Sequence, residues 1–373
     1  MSRNSSSLFL TIQTMAIKLN PLTNQHFITD WSICMQRLIT LIITVAMVLV
    51  LCSACGSTET QESAAVDAGK AEDLIPITVV LDHYPMADTV FMYMAKEQGF
   101  FAEAGLDVSF VMPSKLSSTE MIANGFAYFG LCSQLDVVSA REQGLAVKSI
   151  GAVLQSPDDL FLTKKGNKIY SPSDLYNKKL GYDGSDLQKA MIASMLYGSY
   201  RSFMDVNLTD ISDMDLGEIM DNDTVDAMLA GSILYDLPLL EEQNKKPDWL
   251  KLENYNIPSY YGEVLIASDN LIASEPDLIR SFLDACARGY DFMNANREEA
   301  IRCLIRSQDK DNLPISDSIA RTTLYTVIPM MKPEEVSFLD QSDDCWNTVL
   351  TWMTRWNLIS GNLTVDDVRA IIG

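Results

Sequence analysis

From Ile77 onward the hydrophobic pattern switches repeatedly between short β-branched runs and longer stretches with helical spacing. Ile77–Leu81 predicts a buried strand, Asp88–Gln98 a helix closed by Gly99, and Leu106–Val111 a second strand. Ser117–Asn124 reads as a helix opened by the capping box Ser117-x-x-Glu120. Tyr128–Leu131 predicts a third strand, Leu135–Gln143 a helix stopped by Gly144, and Val147–Leu154 a fourth strand. Strand–helix units with short connections imply a mostly parallel sheet.

A second series follows, with a strand at Lys179–Tyr182, a helix from Gly184-Ser185 to Tyr197, and short strands at Asp213–Leu216 and Val225–Leu229. Glu263–Ala267 is strand-like, Glu275–Asn294 is an amphipathic helix started by Pro276, and helices continue to Ile372. The pattern predicts an α/β protein in which one lobe interrupts another, joined near Phe161–Lys165 and Pro258–Ala267. Residues 76–165 and 265–373 make the first lobe, and 166–264 the second.

The beginning of the chain does not share this pattern. Leu38–Ala54 is an apolar run preceded by Arg37 and ended by Cys55-Gly56-Ser57, as in an export signal. Cys52-Ser53-Ala54-Cys55 resembles a bacterial lipobox, with Cys52 where Leu is usual; the resemblance implies a leader over residues 1–54 and lipidation of Cys55, with an uncleaved signal anchor as the alternative. Residues 1–34 precede what an ordinary signal needs, and a start at Met35 places Met-Gln-Arg before the apolar run, so an overextended start is expected. Residues 55–75 are small, polar and acidic, a composition that predicts a flexible tether.

Charge and residue counts restrict the chemistry. A formal net charge of −22 repels phosphates, so no nucleic-acid partner is expected. After Cys55 the cysteines are Cys132, Cys286, Cys303 and Cys345, without Cys-x-x-Cys spacing, and they read as thiols. His83 is the only histidine beyond the leader, so any histidine-dependent nucleophile must use it. No catalytic residue, metal or cofactor is expected.

In open parallel sheets, ligands bind beyond the carboxyl ends of the strands. Asp82, His83 and Tyr84 follow the first strand, Ser114 the second, Ser133 and Gln134 the third, and Gln155 the fourth. Wet loops carry polar residues too, but four such loops on one edge suggest a pocket. Gly184 and Ser185 open a helix whose free N–H groups could face a ligand, although Ser185 also serves as an ordinary N-cap. Glu218, Asp226, Asp236, Tyr182, Tyr235, Tyr260 and Tyr261 suit a flat, nitrogen-rich ring, whose faces stack and whose amino groups need acceptors. Core packing is the competing role for Tyr182 and Tyr235.

"VVLDHYPMADTVFMYMAKEQGFFAEAGLDVSFV", "FGLCSQLDVVSAREQGLAVKSIGAVLQSP", "KKLGYDGSD", "VDAMLAGS" and "PSYYGEVLIAS" resemble, in order, motifs of solute-binding lipoproteins of ABC importers in the thiamine-pyrimidine-precursor branch. The resemblance implies a two-lobed, periplasmic-binding-protein-like fold of type II with a ligand cleft between the lobes. It also implies a monomer anchored at the outer face of the bacterial cytoplasmic membrane or in the periplasm, handing a small molecule to permease and ATPase subunits. By position, the family's strand-one acid and aromatic fall on Asp82, His83 and Tyr84, its glycine-serine helix start on Gly184 and Ser185, and a further acid on Asp236. The chain departs from the branch at Pro85-Met86 and Asp88-Thr89-Val90, where Pro-Asn and His-Thr-Gly are usual, so flavin-like and other small organic solutes, or a ligand-sensing role, stand beside the pyrimidine. The thiamine pyrimidine synthase of the same fold uses a cysteine-rich run that this chain lacks, and a binding protein rather than an enzyme is expected.

Overall fold

The computed structural model describes residues 74–197, 206–308 and 315–372, which form two α/β lobes, each on a five-stranded sheet. The leader, Cys55 and the tether as far as residue 73 lie outside the described residues. In chain order the strands are β1 (Ile75–Val80), β2 (Leu106–Val111), β3 (Phe129–Cys132), β4 (Val147–Leu154), β5 (Asp159–Thr163), β6 (Lys179–Tyr182), β7 (Asn207–Asp210), β8 (Ala227–Ser232), β9 (Asp248–Lys251) and β10 (Glu263–Ser268).

The first sheet has the order β2-β1-β3-β10-β4. β1 runs parallel to β2 and β3, with Ile77 opposite Val108 and Val79 opposite Phe129. β10 is antiparallel to both β3 and β4, for a reason of connectivity. The chain leaves this lobe at the carboxyl end of β4 and returns at the same end, so the returning strand must run the other way. Its first residue, Glu263, therefore sits opposite Leu154 at the end where β1 and β3 finish. The second sheet, β7-β6-β8-β5-β9, repeats the arrangement: β6 is parallel to β7 and β8, whereas β5 enters antiparallel and sets Asp159 opposite Ser232.

β3 is buried along its whole length, as a strand covered on both faces must be. Phe282, on the helix Pro276–Ala295, stacks on Phe129 with ring centroids 4.0 Å apart and on Phe101 at 5.4 Å. Each such buried ring contributes about 1.5–3 kcal/mol. The same helix crosses Val90–Glu97 at Gly289, where a Cβ would stand 2.2 Å from the Phe91 carbonyl oxygen, so only glycine permits the approach. Leu160, Leu162, Ile211, Met228 and Leu240 form a separate core in the second lobe. Cys132, Cys286 and Cys303 are buried free thiols, and Cys345 is a partly buried one.

Five elements differ from the pattern reading. The strand expected at Asp213–Leu216 lies earlier, at β7, because Asp215 caps a helix instead: its side chain accepts from Glu218 N (2.8 Å) and starts Leu216–Asp221. The first helix begins at Val90, not Asp88, and β8 runs on to Ser232. β5 and β9, in segments read as connections, complete the second sheet.

Candidate functional site

The turn after β1 is held in place by its own hydrogen bonds. Leu81 N donates to Val111 O (2.9 Å), extending the ladder by one residue. The Thr89 hydroxyl donates to Met86 O (2.9 Å) and accepts from Met86 N (3.1 Å), while Gln308 Nε2 donates to Pro85 O (2.5 Å). This leaves Asp88 only 4% exposed just ahead of the helix Val90–Glu97.

His83 faces that carboxylate. Its Nδ1 lies 2.8 Å from Tyr84 O, and because a carbonyl only accepts, Nδ1 carries the proton. Nε2 points at Asp88 Oδ2 (3.3 Å) and Glu263 Oε1 (3.8 Å). The surrounding protein opposes a charge on the ring, but Asp88 and Glu263 outweigh it and hold His83 well above the ordinary histidine range. Glu263 is itself pushed well above the ordinary carboxylate range, first by burial and then by Asp88.

The facing wall comes from the second lobe. Ser232 organises it: its hydroxyl donates to Asp158 Oδ2 (2.5 Å) and accepts from Leu234 N (2.9 Å), and its backbone N–H donates to Asp236 Oδ2 (2.8 Å). Gly231, at φ +110°, makes this turn possible, since a Cβ there would meet Leu162 Cδ1 at 2.6 Å. Burial raises the carboxyls of both Asp158 and Asp236.

Between the walls lies a cavity of about 200 Å³ lined by His83, Tyr84, Met86, Asp88 and Gln308 from the first lobe and Asp158, Ser232, Leu234, Tyr235 and Asp236 from the second. Among the described residues no lysine or arginine lines it. The arrangement offers carboxylate acceptors and two phenol rings, and so suits a small ligand rich in N–H donors.

Of the residues singled out from sequence, His83, Tyr84, Tyr235 and Asp236 meet in this cavity, whereas Asp226 accepts from Lys179 N (2.9 Å) and does not line it. Asp82 turns away from it and accepts from Ser118 Oγ (3.3 Å); desolvation by surrounding protein and the Asp136 carboxylate push it up to about 6. Ser133 and Ser185 are N-caps, accepting from Asp136 N and Gln188 N, and Gly184 supplies the left-handed turn before Ser185. Gln134 fastens the return crossing, with Oε1 accepting from Tyr261 N (2.8 Å). Gln155 Nε2 donates to Asp340 O (3.0 Å). Ser114 and Glu218 are exposed away from the cavity. Tyr182 lies under Lys189 Nζ (5.7 Å from the ring centroid). Tyr260 and Tyr261 are core residues whose hydroxyls meet Asp159 Oδ2 (2.5 Å) and Ser342.

Asp88, Asp158 and Ser232 were missed, as was Glu263 behind the cavity. Asp158 and Glu263 stand at the amino ends of antiparallel strands, where the rule that ligands bind beyond the carboxyl ends of parallel strands does not point. The available signal was the acidic pair Asp158-Asp159 in a segment joining the lobes.

Residues 86–300 match the family model described as NMT1/THI5 like. A formylaminopyrimidine-binding protein of Halalkalibacterium halodurans is 27% identical over 82% of this chain and 92% of its own length. A 4-amino-5-hydroxymethyl-2-methylpyrimidine phosphate synthase of Legionella pneumophila is 25% identical over 66% of this chain and 78% of its own. The periplasmic aliphatic sulphonate-binding protein of Escherichia coli superposes with a TM-score of 0.63 at 14% identity, covering 80% of this chain and 92% of that one. This likeness establishes the two-lobed solute-binding fold.

Proposed function

The chain belongs to the NMT1/THI5-like family, and we propose that it is an extracytoplasmic solute receptor of an ABC importer that binds a small amino-substituted pyrimidine in the cleft between its lobes. The observation that carries this is the lining of the cavity: three carboxylates, two tyrosines and, among the described residues, no lysine or arginine. Tyr84 and Tyr235 offer ring faces to a flat heterocycle, and Asp158 and Asp236 accept from exocyclic amino groups. An alkanesulfonate, although a ligand of a protein with the same fold, would bring a negative charge to a wall of carboxylates. A volume of about 200 Å³ suits one ring better than a fused flavin, since drug-sized sites span roughly 300–1,000 Å³.

Binding without turnover is supported by the relative that matches over 92% of its length, which is named as a binding protein. The lipid at Cys55 would hold the receptor at the membrane while the tether gives it reach. Calorimetry of the purified chain against formylaminopyrimidine, riboflavin and a short alkanesulfonate tests the proposal. The pyrimidine should bind tightly, as one solute per chain and without product, and the sulfonate should not bind. Preferred binding of the sulfonate, or conversion of the pyrimidine, would overturn it. For the anchor, Cys55→Ser should move the protein from the membrane to the soluble fraction.

A further inference from the structure

The floor of the cavity brings one imidazole and two carboxylates face to face, and a metal ion would take the place of the proton on Nε2. With Nδ1 protonated toward Tyr84 O, the imidazole presents Nε2 to Asp88 Oδ2 and Glu263 Oε1, and the three donor atoms lie within 4.8 Å of one another. Asp88 and Glu263 are each 4% exposed, yet Asp88 Oδ1 and both carboxylate oxygens of Glu263 have no hydrogen-bond donor among the described residues. Buried carboxylate oxygens without partners are costly unless a cation sits between them.

We propose that His83, Asp88 and Glu263 form a binding site for a divalent transition-metal ion such as zinc, with an open coordination position toward the cavity. The chemistry of the donors fits. One imidazole nitrogen and two carboxylate oxygens are common ligands of zinc, and a divalent ion with a neutral imidazole and two carboxylates leaves no net charge in the buried floor. The geometry also fits. Donors around a tetrahedral zinc stand roughly 3.4 Å apart, and the observed separations from Nε2 are 3.3 and 3.8 Å. The Tyr84 carbonyl supplies the outer hydrogen bond that fixes the tautomer and aims Nε2 at the ion. His83 and Asp88 line the cavity, so an ion between them would expose a coordination position to a solute heteroatom, which distinguishes this site from a closed structural one. Glu263 lies far from His83 and Asp88 in sequence, and the antiparallel return of β10 brings it to them.

The site is tested without any organic solute, so its outcome is independent of which solute the cleft takes. The full chain, solubilised in detergent and stripped with EDTA, is titrated with ZnCl₂ in a calorimeter, and with Co²⁺ while the visible spectrum is followed. One Zn²⁺ per chain and d–d bands from a low-coordinate Co²⁺ site are expected. His83→Ala and Glu263→Gln should each weaken Zn²⁺ binding at least ten-fold, whereas Asp107→Asn, on an exposed strand position, should not. Glu263→Gln preserves shape and, with circular dichroism as a folding check, keeps the test valid if His83→Ala fails to fold. No stoichiometric Zn²⁺ binding by the parent chain, or equal affinity in the folded Glu263→Gln variant, would overturn the proposal.

Discussion

Replacing Gly289 by alanine tests how the helices behind the cleft hold its floor. In the middle of Pro276–Ala295, alanine by itself favours the helix by about 1 kcal/mol. The neighbouring helix opposes it. The added Cβ would lie 2.2 Å from Phe91 O, 2.8 Å from Ala95 Cβ and 3.1 Å from Ala95 N. A carbon normally approaches a carbonyl oxygen to roughly 3.3 Å, so the helices must part by about 1 Å. Two of the three atoms are backbone and cannot rotate aside, which places the cost near the top of the 1–3 kcal/mol range for overpacking. After the gain in helix propensity, the net loss is about 2 kcal/mol. Val90–Glu97 begins directly after Asp88 and Thr89, so the same displacement shifts the turn that carries His83 and Asp88. In urea titrations followed by circular dichroism, Gly289→Ala should lower the midpoint at unchanged slope, and solute affinity should fall several-fold. A midpoint at or above that of the parent chain would refute the reasoning, because it would mean that the close approach carries no packing constraint.

Asp236→Asn keeps an acceptor for Ser232 N but removes the charge from the cavity; loss of a charge-assisted bond worth about 1.5–3 kcal/mol should weaken binding of an aminopyrimidine probe ten- to a hundred-fold by calorimetry, and an unchanged affinity would remove Asp236 from the site. Stability should fall as pH rises: burial and the neighbouring Asp158 raise Asp159 from 3.8 to about 7, so between these values the folded state holds an extra proton, and the stabilisation present below pH 4 is lost as pH passes 7. The melting temperature should accordingly be lower at pH 8 than at pH 5, and Asp159→Asn should shrink that difference; an equal difference in the variant would contradict the assignment. Tyr260→Phe deletes the hydroxyl that donates to Asp159 Oδ2, and should lower the melting temperature more at pH 8, where the carboxylate is charged, than at pH 5.

The first sheet was legible because β2 and β3 are short, mostly apolar runs, each followed by a helix with an explicit cap, at Ser117 and Ser133. β7 was misplaced because Asn207–Asp210 has one apolar residue, Leu208, and so no alternation, while the Asp215 side chain that resembles a polar strand position is an N-cap. His83, Tyr84 and Asp236 were legible from strand ends and from family resemblance, and Tyr235 from its aromatic character beside Asp236. Asp88, Asp158 and Glu263 were not, because their proximity depends on two strands running antiparallel, a feature of how the chain crosses between lobes and not of any local pattern.

That crossing also gives the cleft its electrostatic logic. Each lobe brings carboxylates to the gap, Asp88 and Glu263 from one and Asp158 and Asp236 from the other, and Asp88 raises the carboxyl of Asp158 across it. Approach of the walls without a ligand therefore concentrates like charge in a poorly solvated space. The proposed solute, with several N–H donors, would relieve this by touching both walls, and would favour the closed arrangement only to the extent that it contacts both. An ion held by His83, Asp88 and Glu263 would lower the same repulsion from one side only. Solute affinity should then rise when the floor is loaded with metal if the open coordination position takes a solute atom, and should fall if the solute needs the Asp88 carboxylate for itself.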